Sequence, residues 1–213
     1  MMLHAWVHEA AGPGSAIVLP DGCRDVIVVQ DAPDRPARLV LTDLDHRARR
    51  VQLAAGVRMT GYRMRPGAWL PVERLRQADP VATPIDDLIE LDAELCAVID
   101  ALACPGATVA QVARRAGVSV RSLQRRFRAL GQPVPEFWRG LGRARAIAPA
   151  LAGQAPLAEI AADGGYADQA HMTRDVTRWF GHSPGRLRRD PGLLALLAQP
   201  GLGGWTGEQI SIR

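Results

Sequence analysis

One unit occurs twice in the second half of this chain. Val109-Ala110-Gln111-Val112-Ala113 lines up with Leu157-Ala158-Glu159-Ile160-Ala161, 48 residues later, and Gly131 lines up with Gly181, 50 residues later. In the first copy Thr108 and Gln111 read as a capping box. Gly117 stops that helix, and Ser119 caps a second helix over 120–130. The second copy opens at Pro156, breaks at Gly164-Gly165 and restarts at Asp168, which caps a helix over 169–180. Two copies joined by one longer helix, expected over 135–151, make a paired tool rather than a repeat array. Short helix, glycine turn and second helix is the helix-turn-helix arrangement, whose second helix enters the DNA major groove.

The faces of these helices carry the matching chemistry. In the first copy Leu123, Phe127 and Leu130 form an inward stripe, leaving Arg121, Gln124, Arg125 and Arg128 on the other faces. In the second copy Met172, Val176 and Trp179 or Phe180 point inward, leaving Gln169, His171, Thr173, Arg174 and Arg178 outside. Arg and Gln pair bidentately with guanine and adenine edges. One Arg-rich helix face is as often a solvated surface; two, repeated within a basic half, favour nucleic acid. Residues 1–103 hold 11 Arg against 15 acidic residues, whereas residues 104–213 hold 15 Arg against 7. The net charge of +4 thus hides an acidic front and a basic back, the outline of a sensor or scaffold ahead of a nucleic-acid binder. The connecting helix would span roughly 25 Å at 1.5 Å per residue. That suits two recognition helices about one DNA turn, roughly 34 Å, apart. A monomer could then fill two successive major-groove segments, and a homodimer stays open.

The stretch from 108 to 188 resembles the C-terminal DNA-binding domain of AraC/XylS-type transcriptional regulators. VAQVARRAGVSVRSLQRRFRALG is similar to the family's first helix-turn-helix, and the second copy carries its signature more specifically in Tyr166, Asp168, Thr173-Arg174, Phe180-Gly181 and Ser183-Pro184. The resemblance implies seven helices, two helix-turn-helix units and sequence-specific binding of promoter or operator double-stranded DNA. Carried onto matching positions, it implies Arg121, Gln124, Arg125, Gln169, His171, Thr173 and Arg174 as base readers. Arg126, Arg128, Arg178 and Arg188 become phosphate contacts or intradomain partners. Ala170, Met172 and Val176 depart from the family pattern, which predicts looser packing of the second unit. RNA polymerase is a candidate partner of such a regulator.

The front half reads as short strands at 16–19, 25–30, 38–41, 49–53 and 61–65, punctuated by Pro, Gly and Asp, with a short helix near 71–78. The spacing of Leu88, Leu91, Leu95, Ile99 and Leu102 predicts a helix over 84–103, capped by Thr83. Segments 19–25 and 61–68 resemble a short N-terminal domain found ahead of such DNA-binding domains in bacterial regulators, with no function to transfer. The expected fold class is α+β: a small β-rich domain over 1–104 closed by that helix, an all-α domain of about seven helices over 105–190, and a tail over 191–213. The tail could dock on the front domain or on a second subunit.

Other function classes find little support. Cys23, Cys96 and Cys104 show no CxxC spacing, so neither a disulfide framework nor a zinc site is expected. His4, His8 and Cys23 do not make a convincing metal set, no cofactor motif stands out, and no apolar run nears the ~18 residues of a membrane span. The first ten residues lack a basic and then apolar signal pattern, so the expected location is the cytoplasm. Trp6, Cys23, Tyr62 and Trp69 are candidates for an effector pocket or sensor, although the three aromatics read equally as core. The alternative function is a thiol protein, an alkyl acceptor or redox sensor with Cys23 as its reactive group, fused to a DNA-binding domain. Carboxylates beside Cys23 oppose a reactive thiolate.

Overall fold

In the computed structural model the chain is described over residues 3–205 and, for the backbone, 211–212. Residues 1–2, 206–210 and 213, which include the end of the expected tail, lie outside the described residues. Six strands come first: β1 (Leu3–Glu9), β2 (Gly14–Val18), β3 (Asp25–Gln30), β4 (Arg38–Leu41), β5 (Arg49–Leu53) and β6 (Arg58–Met64). They are followed by α1 (Val72–Gln77), a 3-10 turn (Ile85–Leu88) and α2 (Ala93–Ala103). The basic half holds α3 (Val109–Arg115), α4 (Val120–Ala129), α5 (Pro135–Ala146), α6 (Ala148–Leu151), α7 (Leu157–Asp163), α8 (Gln169–Phe180), α9 (Pro184–Arg188) and α10 (Pro191–Leu197), and a two-residue strand β7 (Ser211–Ile212) closes the order. An α+β chain is thus observed, a β-rich front followed by helices.

The strands form two sheets. One has the order β4-β3-β6-β1-β7, antiparallel except for the parallel β1–β7 pair, and the other is the antiparallel β2–β5 ribbon. β1 was absent from the strands expected by sequence, since LHAWVHE alternates His and Trp with smaller apolar residues and carries no Val/Ile run. Its pairing with β6, Leu3 opposite Met64 through Glu9 opposite Arg58, is what makes it a strand. One face of the large sheet packs Leu3, Val26 and Met64 against Leu70, Ile85, Leu88 and Ile89.

The helix expected over 84–103 is broken. Backbone bonds in both directions between Trp69 and Glu90, 2.8 and 3.0 Å, hold residue 90 extended. A new helix then starts at Asp92, whose carboxylate accepts from the Leu95 N–H. Thr83 instead accepts from Asp79 N–H, so it caps no helix. The apolar stripe divides accordingly: Leu88 belongs to the strand-side cluster, and Leu95, Ile99 and Leu102 to the large cluster of the helical half. α2 still closes the β-region, because the Cys96 thiol donates to Pro66 O and Arg65 pairs with Asp100. Its other side lies on α5.

The connecting helix also divides, at Ile147, into α5 and the short α6 with Pro149 in its first turn. α5 is the spine of the helical half: α2, α3, α4, α6 and α8 all pack on it. Gly142 permits the closest of these contacts, since a Cβ there would lie 2.5 Å from Ala103 Cα. Gly140 faces the Trp179 ring at an easier 3.3 Å. Gly142→Ala should therefore destabilise the chain by about 1–3 kcal/mol through overpacking. Gly140→Ala should cost less, a ranking that denaturant midpoints of the two variants check.

Candidate nucleic-acid interface

Each helix-turn-helix is built by local chemistry. Thr108 and Gln111 form the full capping box of α3, with Thr108 Oγ1 accepting from Gln111 N–H and Gln111 Oε1 from Thr108 N–H. The turn passes through Gly117 at φ +69°, and Ser119 Oγ accepts from Ser122 N–H to start α4. The second unit repeats this, with Gly165 at φ +69° and the Asp168 carboxylate accepting from His171 N–H to start α8. Positive φ is where glycine is favoured, so the two turn glycines, 48 residues apart like the helices they follow, are structural equivalents.

The inward stripes seat these helices. Leu123 and Phe127 are buried in the first unit, but Leu130 is 43% exposed, because α4 ends at Ala129 and Leu130 has passed into the C-cap. In the second unit Met172, Val176, Trp179 and Phe180 are all buried. The looser packing expected from Met172 and Val176 is not observed: both have no exposed surface and lie in the main cluster. Trp179 supplies much of the bulk there, its ring edge-on to Phe137 of α5 at 5.3 Å.

The outward residues divide by environment. Arg121, Arg125, Arg128, Gln169 and Arg174 are exposed, and none of the four arginines has an ion-pair partner among the described residues. Gln124 is half-buried and donates to Glu136 of α5 at 3.3 Å. Thr173 is half-buried, as is His171, which accepts from Ala167 N–H and meets the Tyr166 ring edge-on. Three further arginines are engaged within the chain, Arg126 and Arg178 while remaining exposed. Arg126 pairs with Asp92, the N-cap of α2, at 3.2 Å and with Glu94 of α2 at 2.8 Å, and hydrogen bonds to these carboxylates raise its pKa. Arg188 donates to Ala155 O at 2.7 Å, and Arg178 pairs with Asp175 while its guanidinium lies over the Trp179 ring.

Sequence reading gave Asp175 and Arg143 no role, yet they fasten the second unit to the spine. Asp175 is buried on α8 and meets Arg143 of α5 at 2.8 Å, while the same guanidinium stacks on the Tyr166 ring, 4.3 Å from its centroid. An acidic residue in the middle of a basic recognition helix was the available signal.

Residues 95–190 match the family model described as a helix-turn-helix domain. This region is a helix-turn-helix domain of the AraC type. Among solved structures the chain is similar to apo ToxT from Vibrio cholerae strain SCE256, in a singly substituted form. That likeness has 9% identity and a TM-score of 0.45, over 89% of this chain and 97% of that one. It is similar also to ToxT from Vibrio cholerae in a P21 crystal form, at 8% identity and a TM-score of 0.46, over 89% of this chain and 98% of that one. No curated protein matches the chain.

The effector-pocket candidates separate. Trp6 and Cys23 line one cavity of the β-region. Tyr62 packs on the opposite face of the large sheet, because it alternates with Gly61 and Arg63 along β6. Trp69 lies beyond the Pro66-Gly67 turn, 43% exposed. Cys23 is buried, and desolvation followed by the charge of Asp21 pushes its thiol well up. Burial likewise pushes Cys96 up to about 11. Among the described residues no group of three or more His, Cys, Asp or Glu could hold a metal, and no helix is long and apolar enough to cross a membrane.

Two measurements test this description. Asp175→Ala should cost about 1.5–3 kcal/mol, the range for hydrogen bonds to charged groups, and should raise hydrogen exchange first in α7 and α8. In a thiol titration with an aromatic disulfide at pH 8, Cys104, the exposed cysteine, should react at once. Cys23 and Cys96 should react only as the chain unfolds.

Proposed function

We propose that the chain is a sequence-specific bacterial transcription regulator that sets α4 and α8 in successive major-groove segments of one promoter or operator site. Its N-terminal region, 1–104, modulates this binding, and the tail over 191–213 takes part. The observation that carries the reading is that Arg121, Arg125 and Arg174 are exposed, with no ion-pair partner among the described residues, on two capped helices that share one spine. A guanidinium already engaged by a carboxylate is poorly placed to read guanine, and these are not engaged. Arg121, Gln124 and Arg125 read bases in one segment; Gln169, His171, Thr173 and Arg174 read them in the next. Arg128 is the phosphate contact with no ion-pair partner among the described residues, whereas Arg126 and Arg178, exposed but paired with carboxylates, and Arg188, bonded to Ala155 O, serve to hold the domain together. A regulator of this kind works where the DNA is, in the cytoplasm. A thiol-transfer reading has no comparable support, since Cys23 is buried and its thiol is held protonated.

The deciding experiment is a footprint of the full chain on genomic fragments selected by binding at a stated salt concentration. Protection over about two adjacent helical turns is expected. Arg125→Ala should lose about 1–3 kcal/mol at the selected site and relax one base position. Arg128→Ala should weaken all sequences alike. Binding that is only salt-sensitive and indifferent to sequence would reduce the basic half to an electrostatic anchor and overturn the proposal.

A further inference from the structure

The acidic front half carries one basic run. Three of its 11 arginines fall within four residues of His46-Arg47-Ala48-Arg49-Arg50, where the loop after β4 leads into β5. Some of the charge around this run is spent internally. Arg49 holds Asp45, and Asp43 acts on Arg24. Arg47 is exposed and has neither a hydrogen-bond nor an ion-pair partner among the described residues. Arg50 is exposed as well, and its guanidinium reaches Ser15 Oγ at 3.4 Å rather than a carboxylate. The run therefore keeps a positive potential inside a half of the chain whose net charge is negative.

The loop is pinned to the helical half on two sides. Ala48 N–H donates to Trp179 O in the last turn of α8 at 2.9 Å, and a Cβ at Gly181 would lie 3.4 Å from Ala48 Cβ. The His46 ring lies 4.7 Å from the ring of Phe137, in the first turn of α5. Glu136, next to Phe137, accepts from the Gln124 amide of α4. The loop thus stands where the two helix-turn-helix units adjoin. It also meets the outward side of α8. Arg174, Thr177 and Gly181 recur three and four residues apart, so they follow one face, and all three are exposed. Ala48 abuts that face at its Gly181 end. With α4 and α8 in successive major-groove segments, the backbone ridge between those segments passes over this junction. Duplex DNA presents about one negative charge per 1.7 Å of its axis there. A guanidinium fork matches a phosphate, and a loop already held at both sides needs little further ordering to bind one.

We propose that the front region itself binds DNA: the 46–50 loop lies against the sugar–phosphate backbone between the two major-groove segments, and Arg47 bonds a phosphate there. The place of this contact on the duplex rests on the reading of α4 and α8 as the two reading helices; the contact itself does not. A phosphate contact carries no base preference, so the loop fixes the register and orientation of the chain on DNA and adds affinity on any sequence.

The test titrates the full chain onto its selected site and onto random duplex of the same length over a range of salt concentrations. Arg47→Ala should weaken both severalfold, and the slope of log K against log salt should become shallower by about 0.9, the share of one phosphate. Arg47→Lys keeps the charge and should keep the parent slope. Arg35→Ala is the control. It removes another exposed arginine of the front half, in the turn between β3 and β4 at the far end of those strands from the loop, and should leave slope and affinity at the parent values. Ethylation of phosphates between the two protected segments should interfere with the parent and not with Arg47→Ala. An Arg47→Ala chain with the parent slope and the parent interference pattern would overturn the contact. So would equal losses in Arg35→Ala and Arg47→Ala, which mark an effect of net charge alone. A chain that shows the Arg47-dependent slope on random duplex yet selects no site would remove the sequence-specific reading and leave the loop contact standing. A selected site whose binding ignores Arg47 would do the reverse.

Discussion

The Arg145 guanidinium is the point at which three parts of the chain meet. It projects from α5, is buried, and donates to the carbonyls of Leu197, Gln199 and Leu202 in the tail and of Pro20 in the turn after β2. Burial lowers its pKa while the nearby Asp21 charge raises it, and an arginine under such opposed influences keeps its proton. A buried cation is tolerable only when its donors are spent on acceptors, and here four backbone carbonyls accept them. The same turn is held from the strand side by Arg63. Burial alone would lower the pKa of Arg63, but Asp21 and Asp25 more than offset that, and Arg63 also reaches Pro200 O at 3.2 Å. The tail is thus docked on the front of its own chain.

From that fastening the arrangement of the helical half follows. α5 must lie close to α2, which Gly142 allows, and must present Arg143 to Asp175 of α8. The front region also touches the second unit directly: Ala48 N–H donates to Trp179 O at 2.9 Å, and the His46 ring lies 4.7 Å from Phe137. The recognition helices are therefore not beads on a flexible string. Each is braced by α5, and α8 is braced by the β-region as well.

Much of the DNA-reading half was legible from sequence because its determinants are local. Thr108 with Gln111, Ser119 and Asp168 each satisfy amide groups three residues on. The glycines at 117 and 165 take the left-handed backbone that ends a helix. Leu123 with Phe127 and Met172 with Val176 repeat at helical spacing and are buried as that spacing predicts. The misreadings came where a distant partner overrode the local pattern. Glu90 leaves the helix for a pairing with Trp69, Leu130 loses its cover as α4 ends, and LHAWVHE becomes a strand only because β6 lies beside it.

The sequence by itself determined that there are two capped helix-turn-helix units, that a helical stretch, divided at Ile147 in the structure, connects them, and which arginines stand on their outer faces. Those features need only contacts within a few residues, so periodicity and capping chemistry reveal them. Only the tertiary structure decided that Trp6, Cys23 and Arg63 face one cavity while Tyr62 faces away, and that Arg145, one of three arginines close together in sequence, is the buried one. Those outcomes depend on which strands pair and on where residues 197–202 return. Such contacts join residues about thirty to more than fifty positions apart, and no local spacing encodes them.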